Sequence, residues 1–173
     1  MKSEELKAVQ APLKEGYREN PASAVVTMRA EGVVEVAGQA CTMNSFAGVV
    51  RAGLHKAAGG SGAEACSGEL LLESLVACAG VTFSAVATNM GLAIRSCRII
   101  AEGDMDFRGT LGIDKNVPVG LTSVRLIFQV DSDLEDATLN KLISLTERYC
   151  VIYQTLQKGV PAVSSSITPP IAL

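Results

Sequence analysis

Apolar positions along this chain fall first into short alternating runs, then into one long helical pattern, then into runs again. Residues 1–22 are polar and broken by Pro12 and Pro21, which predicts an N-terminal arm with at most one short helical turn. From Ala24 onward, β-branched residues cluster between turn signals. Val25, Val26 and Thr27 lead to Glu31-Gly32; Val33, Val34 and Val36 lead to Gly38; Phe46 to Arg51 lead to Gly53. Three strands of an antiparallel meander are predicted.

Residues Gly53 to Gly68 (GLHKAAGGSGAEACSG) form a glycine-rich loop directly ahead of the longest apolar segment. Glu69 to Met90 reads as a helix with two neighbouring stripes. Leu71, Leu75, Cys78, Thr82, Ala85 and Asn89 trace one; Leu72, Val76, Ala79, Phe83 and Val86 trace the other. A helix apolar on most of its circumference needs cover from a sheet on one side and a second copy on another. Gly91 is placed to cap its C-terminus. Strands follow at Arg98–Glu102 and Val124–Val130, with Asp106 to Gly112 as a pairing extension. Asp131, Ser132 and Asp133 would cap a helix from about Leu134 to Tyr149, and a short helix runs from Cys150 to Lys158. A last strand is predicted at Ala162–Thr168. The class is α+β in the order β(3)-α-β(2)-α(2)-β, and residues 23–173 make one domain after the arm at 1–22.

Composition narrows the function. Of 173 residues, 48% are apolar and 19% charged, enough for a packed core. Aromatic residues make up 4% and the net charge is −3, which argues against nucleic acid as a partner, since both stacking platforms and a basic footprint are missing. Glu73, Ser74, Thr82, Ser84 and Asn89 interrupt the apolar run from Leu70 to Met90, so it reads as a buried helix and not a membrane span. The first residues, MKSEELKAVQ, have no apolar signal region. A reducing cytoplasm holding five free thiols is the expectation.

No P-loop, GxGxxG, HExxH, GxSxG or CxxC motif occurs, and His55 is the one histidine. Neither a metal site nor an organic cofactor is expected. Asp104-Met105-Asp106 reads as strand-edge or turn carboxylates before it reads as a metal pair. The chemistry therefore falls to cysteine. Cys41 reads as a strand-end thiol, Cys66 has only Glu64 and Glu69 as charged neighbours, and Cys97 lies between Arg95 and Arg98. Cys78 sits mid-helix, where composition alone makes it a small buried hydrophobe. Cys150 follows Glu147-Arg148-Tyr149 at a junction between two helices, where a helix N-terminus and a guanidinium would favour a thiolate.

Two segments carry a resemblance. SGELLLESLVACAGVT (Ser67 to Thr82) resembles the central-helix signature of the OsmC/Ohr superfamily, and LTERYCVIYQTLQKGV (Leu145 to Val160) resembles its second cysteine motif. The resemblance implies an intertwined homodimer of OsmC-like fold, with long central helices packed on mixed and antiparallel sheets. It also implies thiol-dependent reduction of organic hydroperoxides. Cys78 would be the peroxidatic thiol and Cys150 the resolving one, with a dithiol or lipoyl-protein as reductant and no metal or organic cofactor. The family further implies an arginine from the N-terminal strand region, paired to a glutamate that matches Glu69. Arg29 and Arg51 are alternatives for the first, and Glu73 and Glu147 are alternatives to Glu69. Nine helical residues separate Glu69 from Cys78, about half a turn around the axis at ~100° each. Glu69 therefore meets the thiol only if the helix begins after it, or across a dimer. The loop at 53–67 and the segment DMDFRGTLGIDK match no catalytic motif of the family. A non-catalytic member binding a small apolar ligand at the dimer interface is the alternative function.

Overall fold

The computed structural model describes residues 2–45, 48–160 and 163–167. Helix α1 (Ser3–Glu19) leads through extended chain into β1 (Gly32–Glu35), β2 (Ala40–Ser45) and β3 (Gly48–Gly53). These strands pair antiparallel, with Val33 opposite Thr42 and Thr42 opposite Arg51. The short β4 (Ala65–Cys66) joins β3 in parallel, Gly53 opposite Cys66, and runs straight into α2 (Ser67–Met90). The β3–β4 pairing ties the start of the long helix to the N-terminal sheet.

Strand β5 (Ser96–Met105), the one-turn helix α3 (Phe107–Thr110) and β6 (Leu121–Asp131) follow, with β5 and β6 forming a separate antiparallel pair. Helices α4 (Asp136–Tyr149) and α5 (Val151–Lys158) complete the described elements. One face of the β5–β6 ribbon covers α2. Ile99, Ala101, Leu126 and Phe128 pack around Leu75, Ala79 and Cys150, while Phe83 and Ala87 meet Leu142 of α4. Phe83 and Phe128 stack with ring centroids 5.9 Å apart. The buried line on α2 is Leu75, Ala79, Phe83 and Ala87, one residue per turn. It runs between the two stripes read from the sequence. Its alternating large and small side chains let the ribbon and α4 approach closely. Gly91 ends α2 with φ of 67°, a left-handed conformation that glycine adopts without a Cβ penalty.

Several expectations are corrected here. The N-terminal arm is not limited to one helical turn: α1 spans 17 residues. Its Val9, Leu13 and Tyr17 form a stripe at four-residue steps, a helical signal that Pro12 within the same stretch obscures. Val25 to Thr27 forms no strand, since no segment among the described residues of this chain pairs with it; the three-stranded meander begins at Gly32 and includes Cys41 to Met43. Asp106 to Gly112 does not extend the ribbon. The Asp106 carboxylate instead accepts the Arg108 backbone N–H and starts α3. Asp131 and Asp133 do not cap α4, whose N-cap is Glu135; both pair with Arg95, at 2.6 and 2.5 Å. Within the predicted last strand, residues 163–167 hold no strand, and Ala162 and Thr168 lie outside the described residues.

Candidate active site

Cys78 and Cys150, 72 positions apart in sequence, come together because α2 and the α4–α5 junction share one core cluster. Cys78 faces off the buried line of α2 and keeps partial exposure. Cys150 is 0% exposed and packs with Leu75 and Ala79. All five cysteines are free thiols.

The junction at Cys150 has a particular backbone shape. Cys150 closes α4, its N–H donating to the Thr146 carbonyl at 2.9 Å, and it also opens α5, its carbonyl accepting from Gln154 N–H at 3.0 Å. Its ψ of 111° is extended, so the helical ladder is broken for one residue. The first N–H groups of α5 therefore have no helical acceptor behind them and are free for another. Across the bend, the Gln154 side-chain amide donates to the Glu147 carbonyl at 2.9 Å and ties the two helices together.

Burial pushes the Cys78 thiol toward the neutral form. Against it work hydrogen bonds from the Ile152 backbone N–H, the Cys150 side chain, the Val151 N–H and the Thr82 side chain. The hydrogen bonds win, and the Cys78 pKa lies below the ordinary cysteine value. Cys150 moves the other way: burial first, then the neighbouring Cys78, raise its pKa. Of the two thiols, Cys78 is therefore the one that ionises first.

This division overturns one sequence expectation. The sequence places a helix N-terminus to favour the Cys150 thiolate, whereas its N–H groups lower the pKa of Cys78 and burial raises that of Cys150. The Arg148 guanidinium lies over the Tyr149 ring at 5.4 Å and is not among the groups that shift either thiol. The arginine expected from the N-terminal region is likewise engaged elsewhere. Arg29 pairs with Glu31 at 2.6 Å, and Arg51 pairs with Glu35 and, at 2.8 Å, with Glu64. Each has a carboxylate in its own strand neighbourhood, and neither contributes to the Cys78 environment. Glu69 lies in the first turn of α2, exposed, because the helix begins two residues before it. It borders a groove with Glu73, Val76 and Ala77, and it is not among the groups that shift the Cys78 pKa. Glu147 lends the bend its backbone carbonyl, and its carboxylate faces Tyr153.

The remaining thiols have quieter settings. Cys97 lies in β5 against the Phe83 cluster, where burial raises its pKa. Cys41 sits in β2, and Cys66 precedes the first turn of α2. His55 stacks on Phe107 at 4.9 Å and accepts the Ala57 N–H through Nδ1. Asp104 is committed to Arg125 and Ser123, and Asp106 to Arg108, as strand-edge and turn carboxylates. Thr82 and the N–H groups of Val151 and Ile152 were not singled out as functional in the sequence. Thr82 stood on the same stripe as Cys78, four residues on, which is the signal that points to it.

The ionisation order makes a checkable statement. Iodoacetamide labelling of the folded protein across pH, resolved by peptide mass spectrometry, should give Cys78 a midpoint below that of the same residue in urea-unfolded chain, where ~8.5 is ordinary. Cys150 and Cys97 should label only at higher pH. A Cys78 midpoint at or above the unfolded value would remove the hydrogen-bonded thiolate from the site.

Comparison with known proteins bears on the whole arrangement. The family model described as OsmC-like protein matches residues 60–165. No curated protein matches the chain. Among solved structures, the OsmC-like protein from Mycoplasma pneumoniae aligns with a TM-score of 0.64 at 16% identity, covering 78% of this chain and 89% of that one. An organic hydroperoxide resistance protein from Elizabethkingia anophelis aligns with a TM-score of 0.63 at 16% identity, covering 78% and 91%. The organic hydroperoxide resistance protein OhrB of Bacillus subtilis aligns with a TM-score of 0.56 at 17% identity, covering 76% and 93%. At these identities the likeness is one of fold.

Proposed function

Because the chain belongs to the OsmC-like protein family, with the family model covering well over half of its length, we propose that it is a cysteine-dependent peroxidase acting on organic hydroperoxides. The observation that carries this reading is the thiol pair: a partly exposed Cys78 whose pKa is lowered by neighbouring N–H groups, packed beside a buried Cys150 whose pKa is raised. Structural neighbours named for organic hydroperoxide resistance agree with it.

The reaction follows from the two sulfurs. The Cys78 thiolate attacks the terminal oxygen of the hydroperoxide, the O–O bond breaks, and the alkoxide leaves with the electron pair. Cys78 becomes a sulfenic acid. Cys150 then attacks that sulfur, its thiol proton and the sulfenic hydroxyl leave as water, and a disulfide forms. An external dithiol, lipoyl-protein included, returns both sulfurs to thiols and is itself oxidised. In this reading Arg29, Arg51 and Glu69 take no part from within the same chain, and the α5 N–H groups do the work of a cation.

The active form is a homodimer. Large apolar side chains stand open on one protomer, among them Val81 on α2 at 73% exposure and Met28 at 85%. Val33 and Val34 on β1, Val36 in the turn after it, and Val25 and Val26 in the chain before it are exposed as well. A second copy covering these faces provides the burial that one chain leaves unmade. The dimer works in a reducing cytoplasm and needs neither nucleic acid nor membrane.

The test is direct. Reduced protein treated with equimolar cumene or tert-butyl hydroperoxide should form a Cys78–Cys150 disulfide, located by peptide mapping, within seconds and ahead of any change at Cys41, Cys66 or Cys97. Survival of both thiols in excess peroxide would end the peroxidase reading. A folded monomer in sedimentation at low micromolar concentration would end the dimeric one.

A further inference from the structure

The proposed first step releases an alkoxide, a strong base, into a site where the polar groups described so far act on the attacking sulfur. Val151 N–H, Ile152 N–H, the Cys150 thiol and the Thr82 hydroxyl all serve Cys78. In-line displacement requires sulfur, terminal oxygen and leaving oxygen to lie close to a line. The leaving oxygen and its organic group therefore lie beyond the attacked oxygen, on the far side of it from the sulfur.

A groove of about 450 Å³ lies beside the cysteine cluster, walled by Leu71, Leu75, Leu126, Tyr153 and Leu156 with Gln157 at its edge. Leu75 lies one turn before Cys78, and both Leu126 and Tyr153 pack on the cluster that contains Cys150. The groove and the thiol pair thus share a wall. Its hydroxyls are few. Thr122 and Ser123, on the same lining, donate to the backbone carbonyl and the carboxylate of Asp104. The Tyr153 phenol has no hydrogen-bond partner among the described residues. It is the one acidic O–H on the wall that the groove and the thiols have in common.

We propose that Tyr153 is a catalytic residue of this reaction, donating its phenolic proton to the departing alkoxide as the O–O bond breaks. The assignment rests on the peroxidase reading of Cys78. The balance is simple: the electron pair leaves on the alkoxide oxygen, the phenol proton neutralises it to an alcohol, and water restores the phenol. Burial, and after it the Glu147 carboxylate, hold the phenol in its protonated form, so the proton is present whenever Cys78 is ionised. A phenol remains a far stronger acid than the alcohol it creates, so the transfer runs downhill.

Leaving-group dependence tests it. Stopped-flow oxidation of Cys78 is measured in wild type and Tyr153→Phe with two oxidants: tert-butyl hydroperoxide, whose alkoxide needs a proton, and peracetic acid, whose acetate does not. The Phe variant should oxidise on the order of 10²-fold more slowly with tert-butyl hydroperoxide, the scale of a lost general acid. With peracetic acid it should match wild type, and the pH midpoint of Cys78 alkylation should stay in place. Equal losses with both oxidants, or no loss with either, would overturn the role of Tyr153 while leaving the peroxidase intact. A wild-type Cys78 that neither oxidant touches would overturn the peroxidase reading and the tyrosine with it.

Discussion

Replacing Cys78 by serine is expected to abolish hydroperoxide consumption, by on the order of 10³-fold or more, because no other group at the site is a nucleophile of comparable strength. The neighbouring Cys150 does not take over. It is fully buried, and burial and its partner's charge hold its proton. Cys97 is likewise raised by burial, and it sits in a different cluster with Phe83 and Ala87. The substitution is close to isosteric at a half-buried position, so the fold should survive and circular dichroism should match wild type. Coupled turnover with a dithiol and tert-butyl hydroperoxide reads the loss. Retention of a tenth or more of the wild-type rate would assign the chemistry to another thiol.

The same residue shows how far the chain could be read before its coordinates. The long helix and its cysteine were legible because apolar residues recur at three- and four-residue steps from Leu71 to Val86. The ribbon of β5 and β6 was legible from β-branched runs, though each strand extends further than its apolar centre. Helix α1 was not, because a proline in its middle and a mostly polar composition hide the stripe of Val9, Leu13 and Tyr17. Val25 to Thr27 misled in the opposite sense: β propensity describes a residue that fits a sheet, and a strand also needs a neighbour.

The partnership of the two cysteines came from motif resemblance. The source of negative-charge stabilisation could not come from any motif. An arginine is visible in a sequence; a backbone N–H is not. Its direction depends on one ψ angle at Cys150 and on the Gln154 tie across the bend. Arg29 and Arg51 looked eligible because sequence gives no measure of what already claims a guanidinium, and Glu31, Glu35 and Glu64 claim both. The helix junction at Cys150 was recognised, but its electrostatic benefit falls on the residue facing it, Cys78, and not on the residue forming it.

Cys150→Ser should separate the two halves of the catalytic cycle. The serine hydroxyl still donates to the Cys78 sulfur, so thiolate and first oxidation should persist near the wild-type rate. What disappears is the attacking sulfur. An intramolecular partner held in place acts at an effective concentration far above any millimolar external thiol, so steady-state turnover should fall on the order of 10²-fold or more. Cys78 should accumulate as sulfenic acid and then, under continued peroxide, take up a second oxygen to the irreversible sulfinic form. Cys150→Ala provides the contrast, because it removes the donor as well. Its Cys78 should also label at higher pH, since one of the hydrogen bonds that favour the charged form is gone. Intact-mass kinetics distinguish these outcomes by one oxygen, two oxygens or a disulfide. Unchanged turnover in Cys150→Ser, with no oxygen gained on Cys78, would mean that the sulfenic acid is reduced directly from outside and that the buried thiol serves only to hold the charge beside it.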